Sequence, residues 1–184
     1  MLSIVTQPSL PTVSPGSGLL DPVVVIALVG LLLNDHLLKA ASAGTSWTLL
    51  TGKLSDVCGV LFLPVLIVAG VELVGGWRGR YRGPSVALAV AVAAFVAVFF
   101  ALMKTIDVVG DVYAWSLGAV QWPLRAMVAL LSSQALPSVV SVRHVVDPTD
   151  TVAVPAAAWV IGQARVRAAS WASSGATKAS YSAR

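Results

Sequence analysis

Apolar residues in this chain run in long unbroken stretches, without the alternation of a strand or the narrow stripe of a surface helix. Four stretches predict membrane-spanning helices, at about residues 22–38, 55–74, 84–103 and 148–164. The third is the clearest, because Pro84 to Met103 holds Ala, Val, Leu and Phe almost without interruption. The first covers roughly 25 Å at 1.5 Å per residue, just enough to cross. Asp21-Pro22 predicts its start, with a capping carboxylate followed by proline at the first helical position. Pro64 predicts a kink in the second stretch, and Glu72 stands near its end. The fourth is short and only mildly apolar, and Asp147-Pro148-Thr149-Asp150 opens it with the same capping pattern.

Between the third and fourth stretches the pattern weakens. Trp115, Trp122, Pro123 and Arg125 punctuate residues 112–136, while Leu124, Met127, Val128 and Leu131 recur at helical spacing. An amphipathic helix lying at the interface fits this segment better than a span. The expected fold class is therefore an all-α membrane protein, a bundle of about four transmembrane helices plus one interfacial amphipathic helix. Residues 1–20, rich in Pro and Gly, and residues 171–184 read as flexible tails around a membrane domain at 21–170. Ala41-Ser42-Ala43 resembles a signal-peptide cleavage site, but no basic segment precedes the apolar run and Asn34-Asp35-His36 separates the two.

Composition strengthens the membrane assignment. Hydrophobic residues make up 57% of 184 and charged ones only 11%, against about 25% in a soluble domain. The single cysteine, Cys58, excludes an intrachain disulfide and any CxxC zinc or redox site. The net charge of +4 comes from basic residues outside the apolar runs. The densest patch, Arg78-Gly79-Arg80-Tyr81-Arg82, fits a cytoplasmic loop obeying the positive-inside bias rather than a nucleic-acid site. With that loop inside, both termini are cytoplasmic, and Arg165, Arg167, Lys178 and Arg184 also fall inside. A fifth span over 112–131 would export the basic C-terminus. The expected setting is a bacterial plasma membrane, with the lipid bilayer and a homo-oligomer or larger membrane complex as partners and no nucleic acid.

This topology gathers ionisable residues on one side. The sets at 34–39, 53–56, 104–111 and 147–150 all fall at one depth of one leaflet, where such groups are costly and mark function by default. Asp35, His36, Asp56 and Asp107 are the candidate catalytic acids and bases. Asn34, Lys39, Lys53, Lys104, Asp111, Asp147 and Asp150 would complete an anion- or substrate-binding set. Each set has a local structural alternative. Asp35–Lys39, Lys53–Asp56 and Lys104–Asp107 stand three or four residues apart and can pair along their own helices. Ser55 and Asp147 can be caps, and His36 an interfacial hydrogen-bonding side chain.

Gly52-Lys53 lacks the rest of a P-loop, and no HExxH or Gly-x-Ser-x-Gly occurs. Two histidines cannot build a His-rich zinc site. Asp35, Asp56, Asp107 and Asp111 would suit a hard divalent cation such as Mg²⁺ or Ca²⁺, which the neighbouring lysines oppose in favour of an anion. Lys53-Leu-Ser-Asp56-Val57-Cys-Gly59 echoes Lys104-Thr-Ile-Asp107-Val108-Val-Gly110, a faint repeat of the kind transporters carry.

The segments Asn34-Asp35-His36-Leu37-Leu38-Lys39 and Thr51-Gly52-Lys53-Leu54-Ser55-Asp56 resemble a family of small bacterial multi-pass membrane proteins in which an "ND…LK" element precedes "TGKLSD". Lys104-Thr105, Tyr113-x-Trp115-x-Leu117-Gly118, Trp122-Pro123 and Asp147-Pro148-Thr149-Asp150 look like its remaining elements, so the resemblance covers about residues 30–155. It implies membership and no mechanism. A looser likeness to small VanZ-type membrane proteins rests on Lys53, with Asp56 where a His would be expected.

Three functions follow as expectations. The first is an enzyme at the outer leaflet acting on a lipid-linked or envelope substrate, with a base from the carboxylates or His36 and an anion held by Lys53 and Lys104. The second is a small oligomeric transporter or ion-coupled carrier. The third is a non-catalytic accessory subunit of a membrane complex.

Overall fold

Asp21 caps the first helix as its sequence predicts: its carboxylate accepts the Val23 N–H at 2.8 Å, and Pro22 follows at the position where no N–H is needed. The computed structural model describes residues 13–42 and 44–182, with side chains described as far as Ser174. Its described residues form helices and loops, without strands. We label the helices α1 (Pro22–Ser42), α2 (Trp47–Trp77), α3 (Val86–Thr105), α4 (Asp107–Leu131) and α5 (Trp159–Ser182). The first three are long and apolar enough to cross a membrane.

α2 begins well before residue 55, so Ser55 lies inside it and is not a cap. A 3₁₀ stretch, Pro148–Ala158, leads into α5 and packs against α2 and α3. Its apolar face fills the space between them: Ala153 and Ala157 are buried with Val60, Phe100 and Met103. Further along, Val160 and Ala164 of α5 join Val24, Val65, Val68, Ala89 and Val96 in the main core. A 3₁₀ helix rises about 2.0 Å per residue against 1.5 Å for an α-helix. From Asp150 to Arg167 the chain thus covers about 30 Å, where an α-helix would cover about 26 Å. This geometry lengthens a segment that its residue count makes look short. It joins the two ends of the bundle, Asp150 bonding Lys53 and Lys104 at one and Arg167 bonding Glu72 at the other.

That second end is closed by a buried ion pair. Arg167 Nη1 and Nη2 donate to the two Glu72 carboxylate oxygens at 3.0 and 2.6 Å, and the Gly16 N–H adds a third bond at 2.9 Å. Gln163 Nε2 donates to the Gly18 carbonyl, and Ser17–Leu20 forms a 3₁₀ turn. Residues 13–20 are thereby docked where a flexible tail was expected; residues 1–12 of that tail lie outside the described residues. At the C-terminus, helix replaces the expected tail as far as Ser182, and residues 183–184 lie outside the described residues. Arg78, Arg80 and Arg82 are exposed in the loop at this end.

α4 starts at Asp107, five residues before the expected interfacial segment, and ends at Leu131. It packs chiefly on α3. Gly110, Ala114 and Gly118 recur every fourth residue and form a flat track, over which residues 137–144 return as an extended strap. Along it Trp122 Nε1 donates to the Pro137 carbonyl at 2.8 Å and the Val142 N–H to the Ala114 carbonyl at 3.0 Å. A Cβ on Gly118 would clash with the Val140 carbonyl oxygen, and one on Gly110 would meet the His144 ring at 2.7 Å. Gly118→Ala is expected to lift the strap and break the Val142 bond. Amide exchange at Val142 should then speed by at least about tenfold (~1.4 kcal/mol, within the range for overpacking). Unchanged exchange would mean that the strap does not rest on this track.

Candidate functional site

The site is built from the ends of α1, α2 and α3 together with the start of the 3₁₀ stretch. In α1 one π-helical turn, Asn34–Leu38, interrupts the helix, and the Lys39 N–H reaches back five residues to the Asn34 carbonyl. Such single turns often mark functional positions. Asn34 is fully buried; its Nδ2 donates to the Thr51 carbonyl at 2.6 Å and to Ser55 Oγ at 2.9 Å. Ser55 in turn donates to Asp35 Oδ1, which also takes Lys39 Nζ at 2.7 Å. Asn34 Oδ1 has no partner among the described residues.

Lys104, in the last turn of α3, is clamped between two carboxylates. Its Nζ lies 3.0 Å from Asp56 Oδ2 and 2.7 Å from Asp150 Oδ2, with the Phe100 ring 5.6 Å away. Lys53 Nζ reaches the other oxygen of Asp150 at 3.1 Å and Thr149 Oγ1 at 2.6 Å. Asp147 caps the 3₁₀ stretch by accepting the Thr149 N–H at 2.9 Å and its hydroxyl at 2.8 Å. Those bonds, the hydroxyl first, hold the Asp147 carboxyl below its ordinary range.

A cavity of about 550 Å³ opens beside this network. Asp35, Lys39, Asp56, Lys104 and Asp150 line it from the bundle, and Tyr113, Gln121, Arg143 and His144 from α4 and the strap. α4 therefore lies across the charged end. His144 Nε2 sits 2.9 Å from the Met103 carbonyl oxygen. A carbonyl only accepts, so Nε2 is the donor in this bond. The ring meets Tyr113 edge-on, with centroids 5.5 Å apart.

Of the residues singled out in the sequence, Asn34, Asp35, Lys39, Lys53, Asp56, Lys104 and Asp150 are brought together, and Asp147 joins through Thr149. His36, Asp107 and Asp111 are exposed and do not line the cavity. Asp35–Lys39 pairs locally, but the other two local pairings give way to contacts between distant segments. Lys53 turns to Asp150. Ile106 is extended (φ −125°, ψ 113°), so Lys104 and Asp107 do not share one continuous helix and lose their neighbour geometry. The same break takes the faint repeat out of structural register.

Tyr113, Gln121, Arg143 and His144 escaped the sequence reading as site residues. The Gly110-Ala114-Gly118 spacing is the signal that could have revealed a track for the strap that carries two of them. The carboxylates Asp35, Asp56, Asp107 and Asp111, considered for a hard cation, are not gathered. Among the described residues no group of three or more His, Cys, Asp or Glu is arranged to hold a metal ion. No family model matches the chain, and neither do any of the curated proteins or solved structures compared with it.

Proposed function

We propose that this chain is a four-span protein of the bacterial plasma membrane, with both termini cytoplasmic. Its charged end would then face outward and act on a lipid-linked or envelope substrate. The observation that carries this reading is the Asp56–Lys104–Asp150 cluster, drawn from three separate segments and opening on one side to a cavity large enough for a ligand. Both carboxylates line the cavity, but Asp150 is held by two lysines, whereas among the described residues Asp56 is held by Lys104 alone. Asp56 is thus the candidate general base, and Lys104 sets its position. The end-to-end reach of the Asp150–Arg167 segment supports a fourth crossing. α4 lying across the cavity supports its placement at the interface. Membership of the family suggested by the "ND…LK" and "TGKLSD" motifs belongs to the same proposal.

The enzyme reading is tested by profiling envelope lipids and lipid-linked intermediates in a deletion strain complemented with wild type or Asp56→Asn. Asparagine can still accept a bond from Lys104, so the variant should accumulate to wild-type levels. We expect an intermediate that builds up in the deletion strain, clears with wild type and persists with Asp56→Asn. Full restoration by Asp56→Asn, or no change on deletion, would contradict the reading.

A carrier is the second reading, favoured by the 11-residue 3₁₀ stretch beside the shared Asp150. Runs of this length are uncommon and often mark hinges. An oligomer in lipid would support a carrier; a monomer in both detergent and lipid would count against it.

A further inference from the structure

We infer that the cavity beside Lys104 recognises a phosphate-type anion carried on an apolar chain, with Arg143 of the strap as its principal contact. This rests on the charged end being the working site and names the class of ligand it takes. Most polar lining groups are already engaged. All three carboxylates of the cavity have an ammonium within 3.1 Å: Asp35 has Lys39, Asp56 has Lys104, and Asp150 has both Lys104 and Lys53. Arg143 is exposed, lines the cavity and makes no ion pair or hydrogen bond among the described residues. Three cations line the cavity with the three carboxylates, and since Lys53 reaches Asp150 from outside the lining, the one lining cation left without a carboxylate is the Arg143 guanidinium, whose planar fork suits phosphate.

The neutral groups point the same way. Tyr113 lines the cavity and its hydroxyl has no hydrogen-bond partner among the described residues. The side-chain oxygen of Gln121 accepts from Arg125, which leaves its two N–H groups free. Lys39 is 44% exposed and keeps further N–H groups beyond its bond to Asp35. Arg143, Tyr113, Gln121 and Lys39 thus leave donors free in the cavity, beside two carboxylate oxygens, Asp35 Oδ2 and Asp56 Oδ1, that take no hydrogen bond among the described residues. The donors, gathered around the guanidinium, suit an acceptor-rich anion. Leu31, Met103, Leu117, Val142 and Val145 supply the apolar part of the wall. A free phosphate would leave those apolar side chains uncovered, whereas an amphiphile would cover them.

The test uses the full-length protein in detergent, titrated with dihexanoyl phosphatidic acid and read by the ligand-induced rise in Tm. Parallel titrations use inorganic phosphate, which lacks the tails, and dihexanoylglycerol, which lacks the phosphate. Phosphatidic acid should bind at least about tenfold more tightly than either. Arg143→Gln should weaken it by about tenfold or more, and Arg165→Gln, an exposed cation on α5, should leave it unchanged. Equal affinity for inorganic phosphate, still dependent on Arg143, would uphold the anion site and make free phosphate its source. Equal affinity for dihexanoylglycerol, or no effect of Arg143→Gln, would overturn the proposal. The lipid profile of Asp56→Asn separates this failure from failure of the working-site reading. An accumulated intermediate without phosphate binding would leave the site standing and its ligand class wrong.

Discussion

Lys104→Met is expected to cost the folded protein about 3 kcal/mol, the low end for removing one partner of a buried ion pair. At 2–4 °C per kcal/mol for a chain of this size, that lowers Tm by roughly 6–12 °C. The Lys104 side chain is 11% exposed, Asp150 12% and Asp56 20%. Without the ammonium, Asp150 keeps Lys53, but Asp56 has no cation left and stands beside another carboxylate. Protonation of one carboxylate caps the loss, which is why the low end is expected. Adding Asp56→Leu to Lys104→Met should recover part of the stability, because it removes the uncompensated charge. A thermal scan in detergent checks both variants. An unchanged Tm for Lys104→Met would show that the clamp does not hold the 3₁₀ stretch against α2 and α3.

Arg167→Met is expected to cost more, about 3–5 kcal/mol, and to act on a different part of the molecule. Glu72 is 5% exposed, and two of its three hydrogen bonds come from this one guanidinium. The third, from the Gly16 N–H, cannot neutralise the carboxylate. Losing Arg167 should therefore free residues 13–20 as well as lower Tm, and limited proteolysis should find new cleavage there. Arg167→Lys should rescue little, since an ammonium cannot reproduce the two parallel bonds. Wild-type proteolysis of Arg167→Met would mean that the N-terminal turn is held by other contacts.

Local chemistry is legible in the sequence at the two caps and in one of the three helical ion pairs. Asp21-Pro22 and Asp147-Pro148 both cap as read, because a cap needs only the next two or three residues. Asp35–Lys39 likewise pairs one turn apart. The capping alternative for Ser55 fails because the polar run Thr51-Gly52-Lys53 before it is not a loop but the first part of a helix that begins at Trp47. The partners of Lys53 and Lys104 were not legible. Asp150 lies 97 residues from Lys53, and its position depends on the 3₁₀ stretch, which no local pattern announces. In the sequence Glu72 is only a charge near a helix end, and Arg167 only part of a basic terminus. Their pairing needs the length that the 3₁₀ geometry adds. Arg143 and His144 fell in a stretch without periodicity, and only the small-residue track of α4 says where that stretch lies.

The most direct test of this account is labelling of single cysteines by a membrane-impermeant thiol reagent on intact cells, in a Cys58→Ser background. Ser46 and Ser141 are exposed at the charged end, and Ala169 is exposed just past Arg167 at the other. Ser46→Cys and Ser141→Cys are expected to label from outside, and Ala169→Cys only after the cells are opened. Labelling of Ala169→Cys together with Ser46→Cys would contradict the fourth crossing. Ser46→Cys and Ser141→Cys on opposite sides would contradict a single outward-facing site.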